Sequence, residues 1–190
     1  MEWRQKVQET FNTLMQDTFK VLSVRNPWAW ALVTKRPDGR PLKPVENRTT
    51  SLGKRNKGTW VLIHVGHSHR PDPKAIGMVE ELSWYNGTAI SMPHWAVTKY
   101  EKIGAIVGAV LFSDDLTPSA ATNDPYARPW VTPPSAYTVD RRRCWMVKDC
   151  VAFEHHIPTK GTRAPLIWTP SAEVHELART EMRRTVGGGV

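Results

Sequence analysis

The chain has 190 residues, which suits one domain with extensions, and its 40% hydrophobic and 23% charged residues are typical of a globular protein. It contains no run of about eighteen apolar residues, so the sequence predicts no membrane-spanning helix. Lysine and arginine number 26 against 18 acidic residues, and the net charge of +8 favours a polyanionic partner such as nucleic acid. The alternative is a basic protein whose charge serves only solubility.

The N-terminal segment has no apolar core of the kind that directs secretion, because Glu2, Arg4 and Lys6 fall where that core would lie. Cys144 and Cys150 are the only cysteines, and their spacing fits neither a metal-binding CxxC motif nor a disulfide framework. We therefore expect a cytoplasmic protein in which both thiols are buried and reduced.

The predicted elements begin with an amphipathic helix over residues 3–19, which we expect to dock on the body of the protein. The alternative is a helix that binds a partner, as in a protein-interaction adaptor. A strand over residues 21–25 follows. Asn26 and Pro27 are typical of a helix start and predict a short helix that ends near Lys35. Further strands are expected over residues 44–50, 59–65, 103–112, 145–153 and 166–168, with helices over residues 72–82 and 169–184.

Five or six short strands with helices between them do not easily make a doubly wound sheet, and a mixed β-barrel removes their edges. The predicted fold class is therefore α+β, a mixed β-barrel of five to six strands with flanking helices. The main domain is expected to span residues 21–169 and to carry a proline-rich, loop-forming insertion at residues 113–143. Residues 1–20 form an N-terminal extension, and residues 170–190 form a C-terminal helix with a flexible tail.

Five short motifs occur in the order in which the ASCH domain family carries them. The run LSVRNPWA at residues 22–29 resembles the opening of that family, and Lys43, Glu46 and Arg48 resemble its GxKxxExR signature. The other three motifs lie at residues 60–64, 104–108 and 157–161. In addition, the run IHVGH at residues 63–67 is most similar to the larger, EOLA-type ASCH proteins.

The resemblance implies a PUA-like barrel with a cleft and a role in RNA binding or RNA metabolism. Some relatives are ribonucleases, and some small bacterial relatives are amidohydrolases that use a lysine, a threonine and a glutamate. Lys43 matches that lysine, but Glu46 stands in the position of the threonine and Pro41 replaces the glycine of the signature. The matched hydroxyl nucleophile is therefore absent from this chain.

The candidate binding cluster consists of Lys43, Glu46 and Arg48. Glu46 and Arg48 lie two apart on a predicted strand and should share one face, while Lys43 reaches the site from the preceding loop. The arginine fork and the lysine charge suit a phosphate or a base edge, and the glutamate suits the amino group of cytosine. The alternative is a structural ion pair between Glu46 and Arg48.

Ser23, Arg25 and Asn26 precede the predicted helix, whose free N–H groups would favour an anion. Simple capping by Asn26 is the alternative interpretation. Trp28 and Trp30 point to different helix faces, so we expect one to lie in the core and Trp28 to stack on a base.

His64, His67 and His69 do not complete a set of four matched ligands, so we predict no metal and no cofactor. His64 is a candidate general acid or base, alongside Lys43 and Glu46, only if the protein is an enzyme; a hydrogen-bonded core histidine is the alternative. Lys160 and Arg163 are expected to contact the phosphate backbone. The run of arginines at residues 141–143 fits equally well a phosphate contact or a solvated basic face.

These features predict a nucleic-acid-binding domain, with RNA as the expected partner and no membrane partner. The ligand would be a single-stranded segment or an extruded base, modified or unmodified, held in a basic cleft. The alternative function is a hydrolase, either a ribonuclease or an amidohydrolase of a modified nucleoside.

Overall fold

The computed structural model describes residues 18–66, 73–98, 103–132, 142–162 and 166–187. The helix predicted over residues 3–19 lies outside this part of the chain except for its last two residues, and Phe19 is fully buried. Arg163, His67, His69 and Arg141 also lie outside the described residues.

Among the described residues, six strands form one mixed sheet, and a hairpin of two short strands forms a separate sheet. Within the sheet the order is β2-β7-β6-β3-β1-β8, with β1 parallel to β3 and every other neighbouring pair antiparallel. The strands in chain order are β1 (Lys20–Ser23), β2 (Val45–Arg48), β3 (Trp60–Val65), β4 (Trp84–Tyr85), β5 (Thr88–Ala89), β6 (Ala105–Leu116), β7 (Arg143–Pro158) and β8 (Ile167–Trp168).

Helices and short 3₁₀ turns connect these strands. Five α-helices and two 3₁₀ turns occur among the described residues, and none of the helices there is long and apolar enough to cross a bilayer. In chain order the helices are α1 (Trp28–Val33), α2 (Pro73–Leu82), α3 (His94–Val97), α4 (Pro118–Ala121) and α5 (Ala172–Gly187), and the 3₁₀ turns are Lys54–Asn56 and Arg128–Trp130.

The sheet curls into a half-barrel with helices on both of its faces. All six residues of β3 are buried, because α1 covers one face of the sheet and α5 covers the other. Gly108 permits the close approach of α1, since a Cβ there would lie 2.2 Å from the Val151 oxygen and 2.8 Å from Cγ1 of Val33. The predicted α+β class with flanking helices is confirmed, and the expected mixed β-barrel of five to six strands takes the form of a half-barrel of six strands.

The structure differs from the sequence-based expectation mainly in the second half of the chain. β6 runs on to Leu116, so the first residues of the predicted proline-rich loop are strand, and α4 follows directly. β7 is also longer than expected, because it pairs with β6 along most of its length and with β2 near its start. The β4–β5 hairpin was not predicted, although Asn86 and Gly87, both with positive φ, form a typical hairpin turn.

Candidate nucleic-acid interface

Lys43, Glu46 and Arg48 form one ion-paired network at the edge strand β2. Nζ of Lys43 lies 2.6 Å from Oε2 of Glu46, and Nη2 of Arg48 lies 2.8 Å from Oε1. The side chains of Lys43, Glu46 and Arg48 are 3%, 8% and 18% exposed. Two cationic side chains therefore share one carboxylate, and Arg48 is the member of the network that solvent reaches.

The local backbone explains why these three side chains meet. Glu46 and Arg48 lie on the same face of β2, as their spacing predicts. Lys43 is fixed between α1 and β2, because its backbone N–H donates to Ala31 O at 3.1 Å and its Nζ donates to Val45 O at 2.5 Å. The network is therefore anchored to an element on either side.

Burial and mutual charge act on the pKa values of the network in different ways. Burial lowers the pKa of Lys43, and the carboxylate of Glu46 only partly opposes this. Burial alone would raise the pKa of Glu46, but the charges of Lys43 and Arg48 outweigh it and the pKa falls below its ordinary value. Glu46 is therefore ionised at neutral pH, and Lys43 gives up its proton more readily than an exposed lysine does.

Arg48 also reaches from β2 to β1, two strands that are not neighbours in the sheet. Its Nη2 lies 3.4 Å from Ser23 O, and its guanidinium carbon lies 5.8 Å from the centre of the Trp145 ring. Its Nε is buried and has no hydrogen-bond partner within the described part of the chain. The curl of the sheet thus brings Arg48 next to the segment that leads into α1.

Ser23 connects this network to His64. The Nε2 of His64 lies 3.2 Å from Thr159 O, so it donates there, and Nδ1 then accepts from the Ser23 hydroxyl at 3.1 Å. His64 is 2% exposed, and a Cβ on Gly161 would lie 2.3 Å from its Cε1. Both ring nitrogens are engaged and the ring is enclosed, which favours a packing role over acid–base catalysis.

Asn26 does not cap α1, and the capping prediction is wrong. The helix N-cap is Pro27, without a side-chain hydrogen bond, and Asn26 instead donates from Nδ2 to Trp95 O at 2.9 Å. The Oδ1 of Asn26 is buried without a partner among the described residues. The predicted anion site at the helix start gains no support, because Ala29 N already donates to Arg25 O at 3.0 Å in a helix of only six residues.

Two half-buried tryptophans, Trp28 and Trp95, lie near the network. The ring centre of Trp28 lies 5.8 Å from Nζ of Lys43, whereas Trp30 is 5% exposed and belongs to the core. Trp95, on α3, was not predicted as a site residue. Its backbone carbonyl accepts a hydrogen bond from the side chain of Asn26. Trp95 also packs against the same two groups of buried hydrophobic residues as Trp28. Pro93 directly before α3 was the available sequence signal for this helix.

The remaining described candidates for nucleic-acid contacts lie on the protein surface. Arg25 and Lys160 are exposed, and Lys160 lies in the turn that covers His64. Among the described residues, no group of three or more His, Cys, Asp and Glu side chains has an arrangement that could hold a metal ion.

A second buried carboxylate, Asp115 on β6, was missed by the sequence analysis. Its Oδ1 accepts from Nε of Arg143 at 2.7 Å, and its Oδ2 accepts from Ser51 Oγ at 2.5 Å and from Leu52 N at 3.0 Å. We call this group, Ser51, Leu52, Asp115 and Arg143, the Asp115 cluster. Its hydrogen bonds hold the loop after β2 against β6, a central strand of the sheet.

No family model matches the chain, and no curated protein matches it significantly. Among solved structures, the crystal structure of ASCH from Zymomonas mobilis covers 87% of this chain and 92% of its own, with a TM-score of 0.43 and 12% identity. A point variant of that protein covers 84% of this chain and 94% of its own, with a TM-score of 0.45 and the same identity. A likeness of this degree transfers no activity and no residue role to this chain.

Proposed function

We propose that this domain binds single-stranded nucleic acid, RNA in the first instance, and reads an extruded base at the network of Lys43, Glu46 and Arg48. The observation that carries the proposal is the network itself, in which the buried pair Lys43 and Glu46 and the partly buried Arg48 lie beside the half-buried indole of Trp28. The net charge of +8 supports a polyanionic ligand.

Burying charged groups costs free energy, and a network that serves stability alone is expected to satisfy all of its hydrogen bonds. This network sets two cationic side chains against one carboxylate. An excess of positive charge beside a partly exposed aromatic ring suits an anionic ligand that carries bases.

Each side chain has a distinct role in this proposal. Trp28 stacks on the base, and Arg48 donates to a base or phosphate oxygen, since these two are the more exposed members of the site. Glu46 accepts from an exocyclic amino group and holds both cations in place. Because Lys43 and Glu46 are almost fully buried, a base reaches them only when neighbouring side chains shift.

The test compares wild type, Glu46→Gln and Asp115→Asn in their retention of labelled single-stranded RNA. Asp115→Asn is the matched control, because it makes the same chemical change in a buried carboxylate outside the proposed site. We expect Glu46→Gln to weaken retention by about tenfold or more, and Asp115→Asn to change it less than about twofold. Urea unfolding of each variant establishes that the folded protein is compared.

The same assay measures the salt dependence of binding and the integrity of the RNA. Retention of intact RNA that falls as salt rises supports phosphate contacts, each contributing about 0.7 to the slope of log affinity against log salt. Equal losses in the two variants, or no retention by wild type, would refute the proposal.

A hydrolase is the second candidate, and a ribonuclease or a nucleoside amidohydrolase are its two forms. The observation that favours it is the 2.6 Å contact between Lys43 and Glu46, which pairs a proton donor of lowered pKa with a carboxylate. Shortened RNA or a changed nucleoside in the wild-type reaction, absent with Glu46→Gln, would establish this function in place of simple binding.

A further inference from the structure

Two arginines and two tyrosines stack on one another outside the network. The guanidinium carbon of Arg36 lies 4.3 Å from the ring centre of Tyr85 and 5.1 Å from that of Tyr126. The guanidinium carbon of Arg40 lies 4.4 Å from the ring centre of Tyr126. We call Tyr85, Arg36, Tyr126 and Arg40, in this spatial order, the arginine–tyrosine stack.

Three separate segments hold the stack in place. The loop between α1 and β2 is closed by the bridge between Lys35 and Pro41 and by the bond from Arg36 N to Arg40 O at 2.8 Å. The hydroxyl of Tyr126 donates to Pro41 O, and Tyr85 comes from the β4–β5 hairpin. The stack is therefore built from parts that the chain order does not bring together.

Arg40 is the exposed end of the stack, with 56% of its side chain accessible. Asp38 binds one edge of its guanidinium, through Nε at 2.8 Å and Nη2 at 2.7 Å. A guanidinium that is held along an edge and covered by tyrosine on one face presents its other flat face to a ligand. Nucleobases stack on arginine planes of this kind in single-stranded RNA.

The stack lies close to the proposed base-reading network along the chain. Only Pro41 and Leu42 separate Arg40 from Lys43, so their Cα atoms are at most about 11 Å apart. Two guanidinium groups against the carboxylate of Asp38 leave a net positive charge on this surface, which suits a polyanion.

We propose that the arginine–tyrosine stack is a second subsite, in which Arg40 stacks on a nucleobase that flanks the base read at the network. This inference rests on the proposed function, since its occupant is the same single-stranded RNA. It predicts that the stack contributes to the binding of an oligonucleotide and not to that of a single nucleoside.

Arg40→Lys tests the subsite, because lysine keeps the charge and loses the flat guanidinium. The matched control is Arg183→Lys, at an exposed position on α5. With a labelled twelve-nucleotide RNA, we expect Arg40→Lys to weaken binding by about fivefold or more and Arg183→Lys to leave it unchanged. With an RNA backbone that lacks bases, Arg40→Lys and wild type should bind alike.

Each other result has a definite meaning. If wild type and Arg40→Lys bind the full RNA equally well, the subsite is refuted. If Arg40→Lys weakens binding of the base-free backbone as much as it weakens binding of the full RNA, Arg40 contacts only phosphate, and the subsite is refuted as well. If Arg40→Lys weakens binding while Glu46→Gln does not, the subsite stands and the proposed function of the network fails. If wild type retains no RNA, both proposals fail.

Discussion

Glu46 and Asp115 are carboxylates of the same sheet, buried to nearly the same degree, with 6% and 5% of each residue exposed. Asp115 is matched by one arginine, and both of its oxygens are used by partners that fasten a loop to the sheet. Glu46 faces two cations instead of one, and the Nε of Arg48 beside it has no partner within the described chain.

The difference separates two uses of a buried ion pair. A neutral cluster with complete hydrogen bonding serves the fold, because nothing in it gains from a further partner. A cluster with excess positive charge remains able to bind an anionic group. Burial alone does not distinguish these two cases, whereas the balance of charges does.

The largest effect is expected when the carboxylate is removed from the network. Glu46→Ala leaves the buried Lys43 and the partly buried Arg48 without a counter-charge, and we expect the free energy of unfolding to fall by about 3–5 kcal/mol, measured by urea denaturation. The double variant Lys43→Met, Glu46→Leu should recover much of this loss, because apolar side chains of similar volume replace a buried ion pair at little cost.

The double variant also sharpens the comparison between fold and function. It is expected to be folded and to retain RNA poorly, since the polar groups that read the base are gone. A double variant that binds RNA like wild type would show that the network serves stability alone, as the Asp115 cluster does.

A smaller effect is expected in acid. Burial alone would raise the pKa of Asp115, but hydrogen bonds from Arg143 and Ser51 lower it below its ordinary value of 3.8. A carboxyl whose folded pKa is lowered adds stability above its unfolded pKa, and this stability is lost as the pH falls through the folded pKa. We therefore expect the free energy of unfolding to fall as the pH drops below 3.8, by up to about 1.4 kcal/mol per unit of pKa shift.

Asp115→Asn should flatten this acid decline, and urea unfolding at several pH values measures the change. Glu46, whose pKa lies below its ordinary value of 4.5, contributes in the same direction and remains in the variant. An identical acid profile for wild type and Asp115→Asn would contradict the assignment of Asp115 to a stabilising cluster.

The smallest effect concerns the reactivity of the two cysteine thiols. Cys144 of β7 lies between the network and the Asp115 cluster, because it pairs with Asn47 of β2 on one side and with Leu116 of β6 on the other. Cys150 lies opposite Val110 further along β7, and burial raises its pKa to about 12. Because β2 is a four-residue edge strand, local opening there exposes Cys144 first.

We expect a thiol reagent near neutral pH to label Cys144 at least about tenfold faster than Cys150, measured on single-cysteine variants. Bound RNA should slow the labelling of Cys144 only. Equal rates for the two thiols would mean that the edge carrying the network does not open separately from the rest of the sheet.

The sequence allowed the network to be predicted because its members are close along the chain. The spacing of Glu46 and Arg48 placed them on one face, and the difference between Trp28 and Trp30 followed from helix geometry. The order of strands and helices also followed from hydrophobic patterns. His64 lies in the strand that was predicted over residues 59–65, but its enclosure by Gly161 was not foreseen.

Features made by distant residues left no local pattern to read. Asp115 meets Ser51 across 64 residues, and Asn26 meets Trp95 across 69. The aspartates at 114 and 115 favour a loop by composition, so β6 was expected to end too early. In contrast, the Asn86–Gly87 turn was a readable signal of the β4–β5 hairpin that the analysis of periodicity passed over.

The pairing of the sheet has a consequence for how the chain folds during synthesis. Val45 of β2 pairs with Met146 of β7, and Val21 of β1 pairs with Trp168 of β8. The first strands therefore leave the ribosome long before their partners exist, and such long-range pairing makes folding slow. A nascent chain that stops before β7 lacks the strand with which Glu46 and Arg48 pair, so this part of the sheet is completed only near the end of translation.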